Sequence, residues 1–318
     1  MLKKKILIIT SRSFQSEWKK ELTKKFGKEK IYFCKDEKKE IIKKVKECSA
    51  MIGCPRYIFS SEEYHKFQHL DWIHAGGAGV ESFLTKEFKT SKIIFTNGKI
   101  IQGPEVADHA VGLILSFTRN LFLVAKSILT QERPIELRKK RILIIGLGGI
   151  GMCLAERLSS FGSIIDGITN DMPIITSYIN NIFYGDKIKD IAKNYDIIVC
   201  TAPLTKLTNG LLDYSFFSKM KKGSIFVNVS RGKIVKTNDL LKNDLFKKFR
   251  GIGLDVTDPE PLNINHKFHK ADNIFITPHI AGPSDNNRLR GYELINLNIF
   301  RYLHNRELLN VVDKAKEY

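Results

Sequence analysis

The chain has 318 residues, enough for two domains of ordinary size, and a hydrophobic fraction of 43% that can fill real cores, which excludes a disordered or low-complexity polypeptide. The formal charge of +18 raises a nucleic-acid partner, but the lysines come as dispersed pairs (Lys19-Lys20, Lys24-Lys25, Lys43-Lys44) spaced for solvated helix faces, so no nucleic acid is expected. Five cysteines without metal-type spacing read as reduced thiols in a cytoplasmic protein, and the longest apolar stretch, Ala110 to Ala125, is too short and too interrupted by Arg119 and Asn120 for a membrane span.

In chain order, the basic start runs into Ile6 to Ile9, too short for a secretory signal, so residues 5–10 read as a strand. Trp18 to Phe26 and Glu40 to Glu47 read as helices, Ala50 to Ile52 as a strand, and Ser61 to Phe67 as helical. Trp72-Ile73-His74 is a strand end that enters Ala75-Gly76-Gly77-Ala78-Gly79. Three glycines within four residues put bare backbone amides there, which suits a carboxylate as well as a plain strand-to-helix turn. Ile93 to Thr96 is another strand, and the alternation of strand and helix argues for a parallel α/β sheet. Pro104 opens a long helix at its first position. Its apolar residues Val106, Ala110, Leu113, Ile114 and Phe117 are spaced for one buried face, and Pro134 closes the region.

Arg141 to Gly151, RILIIGLGGIG, organises the second half of the chain. Ile142 to Ile145 reads as a buried strand, and Ile150 to Phe161 as a helix. Between them, Gly146 allows the tight turn, Gly148 allows close approach of a pyrophosphate, and Gly151 allows helix and strand to pack closely. The N–H groups at the helix start, with Gly149 and Ile150, face the same anion. A purely structural glycine turn is the alternative. Further strands read as Ser163 to Ile168, Asp196 to Cys200, Ser224 to Val229, Gly251 to Asp255 and Asn273 to Thr277. Helices fit at Lys187 to Lys193, Tyr214 to Met220 and Thr237 to Asn243. Residues 101–281 thus form one doubly wound, dinucleotide-binding domain. The tail begins with a long helix and has no room for a core of its own, so 282–318 is expected to join residues 1–100 in a substrate domain.

Three residues sit just after strands, where open α/β sheets place ligands. Arg231 could hold a carboxylate in bidentate fashion or make a surface salt bridge. Glu260 lies between Pro259 and Pro261, and His279 follows Pro278. Together they are the set needed to reduce a 2-oxo acid. The arginine grips the carboxylate, the histidine protonates the developing alkoxide, and a carboxylate beside an imidazole favours its acid form.

Several motifs resemble the D-isomer-specific 2-hydroxyacid dehydrogenase family across nearly the whole chain. They are Ala78-Gly79-Val80, Val106-Ala107-Asp108-His109, GLGGIG at 146–151, Phe161-Gly162, and Ala202-Pro203-Leu204-Thr205 with Thr208 and Gly210. Further on come Asn228-Val229-Ser230-Arg231-Gly232, Leu254-Asp255-Val256, Glu260-Pro261-Leu262 and TPHIAG at 277–282. The resemblance implies two doubly wound α/β domains, a Rossmann domain and a discontinuous flavodoxin-like substrate domain. It implies that Arg231, Glu260 and His279 are catalytic, and that Gly76, Gly77 and Ala78, with Arg231, bind the substrate carboxylate. It implies that Asp255 holds the nicotinamide amide and that Thr201, Pro203, Thr208, Val229 and Ser230 belong to the cofactor shell. A homodimer is implied as well, with no metal.

Where the family often carries an acidic residue on the adenosine ribose, this chain has Thr169 and Asn170, with Asp171 next. A carboxylate there would repel a 2′-phosphate, so either NAD or NADP is expected, with NADP slightly favoured. The expectation is therefore a cytoplasmic NAD(P)-dependent reductase of a small 2-oxo acid, of the glyoxylate or hydroxypyruvate class, to the D-2-hydroxy acid. The alternative is an NAD(H)-sensing binding protein of the corepressor type with little turnover.

Overall fold

Short β-branched runs punctuated by glycine and charged residues become strands buried on both faces, as parallel sheets require. In the computed structural model, which describes residues 4–10, 14–59, 63–128, 130–171 and 176–318, they form two sheets. The first contains β1 (Ile6–Thr10), β2 (Ile31–Lys35), β3 (Ala50–Ile52), β4 (Trp72–His74) and β5 (Ile94–Thr96), in the order β2-β1-β3-β4-β5. The second contains β6 (Arg141–Ile145), β7 (Ile164–Ile168), β8 (Asn181–Phe183), β9 (Ile197–Cys200), β10 (Ile225–Asn228), β11 (Gly251–Leu254) and β12 (Ile274–Ile276). Its order is β12-β11-β10-β9-β6-β7-β8, and every strand pair in both sheets is parallel. The first order is flavodoxin-like and the second is a Rossmann order with an added strand, as expected.

Period-two alternation assigns each side chain to a core. In β6, Leu143 and Ile145 join one layer, and Ile142 and Ile144 join the other. In β1, Leu7 and Ile9 face one way, and Ile6 and Ile8 the other. Each such residue, fully buried, contributes about 1.5–3 kcal/mol relative to exposure. The helix Gly103–Thr118 buries Val106, Ala110, Leu113, Ile114 and Phe117, the face that its spacing marked.

The chain divides into two compact units, Met1–Ile101 with Asp285–Tyr318, and Gln102–Ser284. In the first, the helix Asn287–Leu303 buries Tyr292, Ile299 and Tyr302 beside Ile6, Leu22 and Trp72, and Trp18 stacks on Tyr292 at 4.6 Å. The chain then returns to the sheet edge. Val311 forms an antiparallel bridge with Thr96, the Val312 N–H donates to the Phe95 carbonyl at 2.8 Å, and the Lys314 ammonium donates to the carbonyls of Ser91 (2.6 Å) and Ile93 (2.9 Å).

Some elements depart from the sequence reading. β2 and β8 were not anticipated: β2 is a five-residue strand with a mixed burial pattern, and β8 is a three-residue edge strand. Of Ser61 to Phe67, only Tyr64–Phe67 is seen, as one 3-10 turn; residues 60–62 lie outside the described residues. The helix at Thr237 ends at Leu241, because Asn243 and Asp244 adopt left-handed backbone. Lys187 to Lys193 is broken into short turns. Among the described residues, no helix is long and apolar enough to cross a membrane, and no cluster of side chains could hold a metal ion.

Candidate active site

The strand order of the second unit reverses direction between β6 and β9, and a ligand crevice is expected at their carboxyl ends. The two loops there touch. Gly146 has φ +102, and a Cβ on it would come within 2.7 Å of Ala202. A Cβ on Gly151 would overlap the Gly146 carbonyl oxygen, whereas one on Gly148 would meet nothing within 4 Å. The three glycines therefore split into two that packing requires and one that faces open space. The helix Gly149–Ser159 begins at Gly148 with no side-chain cap, so its first N–H groups, at Gly149, Ile150 and Gly151, remain available to an anion. Thr201 braces the turn by donating its hydroxyl to the Gly146 carbonyl at 2.6 Å.

Three neighbouring strands, β10, β11 and β12, carry Arg231, Glu260 and His279 just beyond their carboxyl ends. His279 Nδ1 lies 2.6 Å from Glu260 Oε1, both side chains about half exposed. The Thr257 N–H donates to the other Glu260 oxygen at 3.3 Å. With Nδ1 turned to the carboxylate, Nε2 is the nitrogen left to meet a substrate. Arg231 is half-buried, and its Nη1 donates to the Ser230 carbonyl at 2.8 Å. A Cβ on Gly232 would overlap the Thr257 carbonyl oxygen, so this glycine lets the arginine loop close on the loop that leads to Glu260.

Asp255 is 2% exposed and works inward. Its Oδ1 accepts from the Thr277 hydroxyl at 2.7 Å and from the Ile280 N–H at 3.0 Å, and its Oδ2 accepts from the Ala281 N–H at 3.1 Å. His109 Nε2 lies 2.9 Å from Thr277 Oγ1 and 3.4 Å from Asp255 Oδ1. Several other expected cofactor residues are also used by the protein itself. Thr208 donates to the Pro203 carbonyl at 2.6 Å, and Ser230 donates to Asn228 Oδ1 at 2.7 Å with 5% exposure. Val229 is 5% exposed. Asn228, His109 and Thr277 carry no role in the sequence reading, although each lies in a motif noted there. The signal available was a polar residue at the end of an apolar strand or on the buried side of a helix.

In the first unit, the loop after β4 leaves Gly76 and Gly77 exposed and Ala78 half-buried. The Gly77 carbonyl accepts from the Gly98 N–H at 3.0 Å, and the Ala78 carbonyl accepts from Asn97 Nδ2 at 2.7 Å. Those bonds turn the carbonyls toward the following loop. Just before it, His74 is buried at 1% exposure, and its Nδ1 lies 2.9 Å from Thr96 Oγ1. At the end of β7, the Thr169 N–H donates to the Phe183 carbonyl of β8 at 3.0 Å. Asn170 Oδ1 accepts from the Gly185 N–H at 3.0 Å, and Thr169 Oγ1 from the Asp171 N–H at 3.1 Å.

Residues 111–281 match the family described as D-isomer specific 2-hydroxyacid dehydrogenase, NAD binding domain. The human glyoxylate reductase/hydroxypyruvate reductase is 31% identical over 231 residues, 69% of this chain and 70% of that protein. A glyoxylate reductase of Thermofilum pendens is 29% identical over 300 residues, 88% of each chain. Among solved structures, a D-isomer specific 2-hydroxyacid dehydrogenase from Xanthobacter autotrophicus in complex with NADPH and MES has the same fold. Its TM-score is 0.82 at 20% identity, over 99% of this chain and 100% of that one.

Proposed function

The chain belongs to the D-isomer-specific 2-hydroxyacid dehydrogenase family, and on that premise we propose that it reduces a small 2-oxo acid of the glyoxylate or hydroxypyruvate class to the D-2-hydroxy acid with NADH or NADPH. The observation that carries the proposal is the 2.6 Å contact between His279 and Glu260, on the same sheet edge as the open cradle at Gly148. A dinucleotide fits that cradle, because the one glycine with free space beside it stands at an uncapped helix N-terminus. Gly146, Gly148, Gly149, Ile150 and Gly151 hold its pyrophosphate in this reading. Asp255 Oδ2, with one acceptor site left beside the Ala281 N–H, takes the nicotinamide amide. When bound, the nicotinamide supplies the hydride.

The rest falls to the protein. Arg231 binds the substrate carboxylate in the first place, and the bare amides of Gly76, Gly77 and Ala78 are proposed to bind it too. His279 gives its Nε2 proton to the substrate oxygen as charge develops there, and its remaining Nδ1–H stays on Glu260. The carboxylate thus selects the tautomer and fixes the direction in which Nε2 points.

For the cofactor, Thr169 and Asn170 put no carboxylate directly at the end of β7, which leaves room for a 2′-phosphate, so NADP(H) is slightly favoured. Several fold neighbours were solved with NADPH or NADP. A homodimer in the cytoplasm is part of the same proposal. The helix Leu121–Ala125 buries none of its residues, and Leu121 and Val124 stay 57% and 69% exposed, a surface suited to a second copy.

The test is oxidation of NADPH and NADH by folded protein with a panel of 2-oxo acids. Turnover with glyoxylate or hydroxypyruvate is expected. Inertness toward the entire panel would sink the proposal.

A further inference from the structure

Resting on the dehydrogenase reading, we propose that Thr277 and His109 are positioning residues that hold the His279 turn in its reactive geometry through Asp255. The backbone at His279 has φ +53, a left-handed conformation that is uncommon outside glycine and that its surroundings hold in place. The support is a hydrogen-bond chain with a fixed direction. Asp255 is an acceptor at both oxygens, so the Thr277 hydroxyl donates to Oδ1 at 2.7 Å. The Thr277 oxygen is then left as an acceptor, and His109 Nε2, 2.9 Å away, must be the donor. The chain therefore runs from His109 Nε2–H to Thr277 Oγ1–H to Asp255 Oδ1.

The carboxylate that ends this chain also accepts the N–H groups of Ile280 and Ala281, the two residues after His279. On the other side, the His279 N–H donates to the Asp255 carbonyl at 2.9 Å and to the Thr277 carbonyl at 3.0 Å. Residues 277 to 281 are thus tied at four places to one aspartate or to the threonine it holds. Neither Thr277 nor His109 is asked to touch the substrate. Their work is to leave Asp255 one arrangement, so that His279 Nδ1 stays on Glu260 and Nε2 keeps its direction. A misplacement of about 1 Å at an acid/base group costs on the order of 100-fold in rate, which is the scale of effect such a clamp protects against.

The test uses Thr277→Val, which keeps the shape and removes the hydroxyl, Thr277→Ser, which restores it, and His109→Phe. Expected for Thr277→Val is a kcat lower by roughly 10- to 100-fold with the Kd for NADPH weakened far less than kcat falls, recovery in Thr277→Ser, and an intermediate loss in His109→Phe. Amide exchange read by mass spectrometry should be faster in the peptide spanning 277–282 of Thr277→Val, with the peptide of β6 unchanged. An unchanged kcat, unchanged exchange in that peptide, or a Kd that worsens in step with kcat would each overturn the inference. If the wild-type protein itself reduces no 2-oxo acid, it is the dehydrogenase reading that fails, and the exchange measurement alone decides whether Thr277 holds the turn.

Discussion

His279 and Glu260 do their work as a pair of side chains on separate loops, and each half of the pair can be removed without disturbing a core. Both are about half exposed, so substitution leaves no buried charge behind. His279→Ala removes the proton donor; turnover is expected to fall by at least about 100-fold, while NADPH quenching of intrinsic fluorescence persists. Turnover equal to wild type would take His279 out of the mechanism. Arg231→Lys keeps the charge but loses the fork, so KM for the 2-oxo acid should rise more than kcat falls. The three residues were legible in the sequence because each lies in the loop that follows an apolar strand and stands beside Gly or Pro. Thr277 and His109 were not. Their bond joins positions 168 apart, and a single neutral polar residue leaves no local pattern that announces a distant partner.

At the scale of elements, the glycine turn separates two kinds of requirement that the motif presents as one. Gly151 has the Gly146 carbonyl in the place of its absent Cβ, so Gly151→Ala forces the helix off the strand. It should destabilise the protein by about 1–3 kcal/mol. Gly148 has open space and φ −82, a value that alanine adopts without strain. Gly148→Ala should leave the melting temperature unchanged and fill the cradle, weakening NADPH binding by at least about tenfold, or roughly 1.4 kcal/mol. Isothermal titration and thermal melts of both variants check this, and a Gly148→Ala protein that binds NADPH as tightly as wild type would show that the anion sits elsewhere. The central strands were readable because parallel strands buried on both faces are continuous apolar runs. β8 was not, since a three-residue edge strand with partly exposed side chains has no such run. The kink at Asn243 and Asp244 was missed because its cause is a left-handed backbone, which apolar spacing does not report.

For the molecule as a whole, one buried ring contributes to the acid side of its stability. His74 stands at the end of β4 with Thr96 Oγ1 at 2.9 Å, and Trp72 donates its indole N–H to the same oxygen at 2.8 Å. The Thr96 hydroxyl thus holds both rings at the end of the strand. Burial holds the His74 pKa down, from the usual 6.5 to about 4. In the folded chain the ring is neutral at every pH above about 4, whereas the unfolded chain takes up a proton below 6.5. Between those values the unfolded state binds more protons, so stability falls as pH is lowered through the window. The contribution is complete above 6.5 and lost by about 4, and it amounts to about 3 kcal/mol. Burial lowers the pKa of His266 as well, but that ring is only partly buried and adds less. The substitution His74→Gln removes the titration while keeping a polar group near Thr96. Its melting temperature should lie below that of wild type at pH 7, because the substitution disturbs a buried contact, and the difference should close as the pH approaches 4.5, because protonation of the unfolded chain penalises only wild type. Melting curves taken in parallel from pH 7 to 4.5 decide it: parallel acid slopes for the two proteins would mean that His74 is not the group that couples this fold to protons.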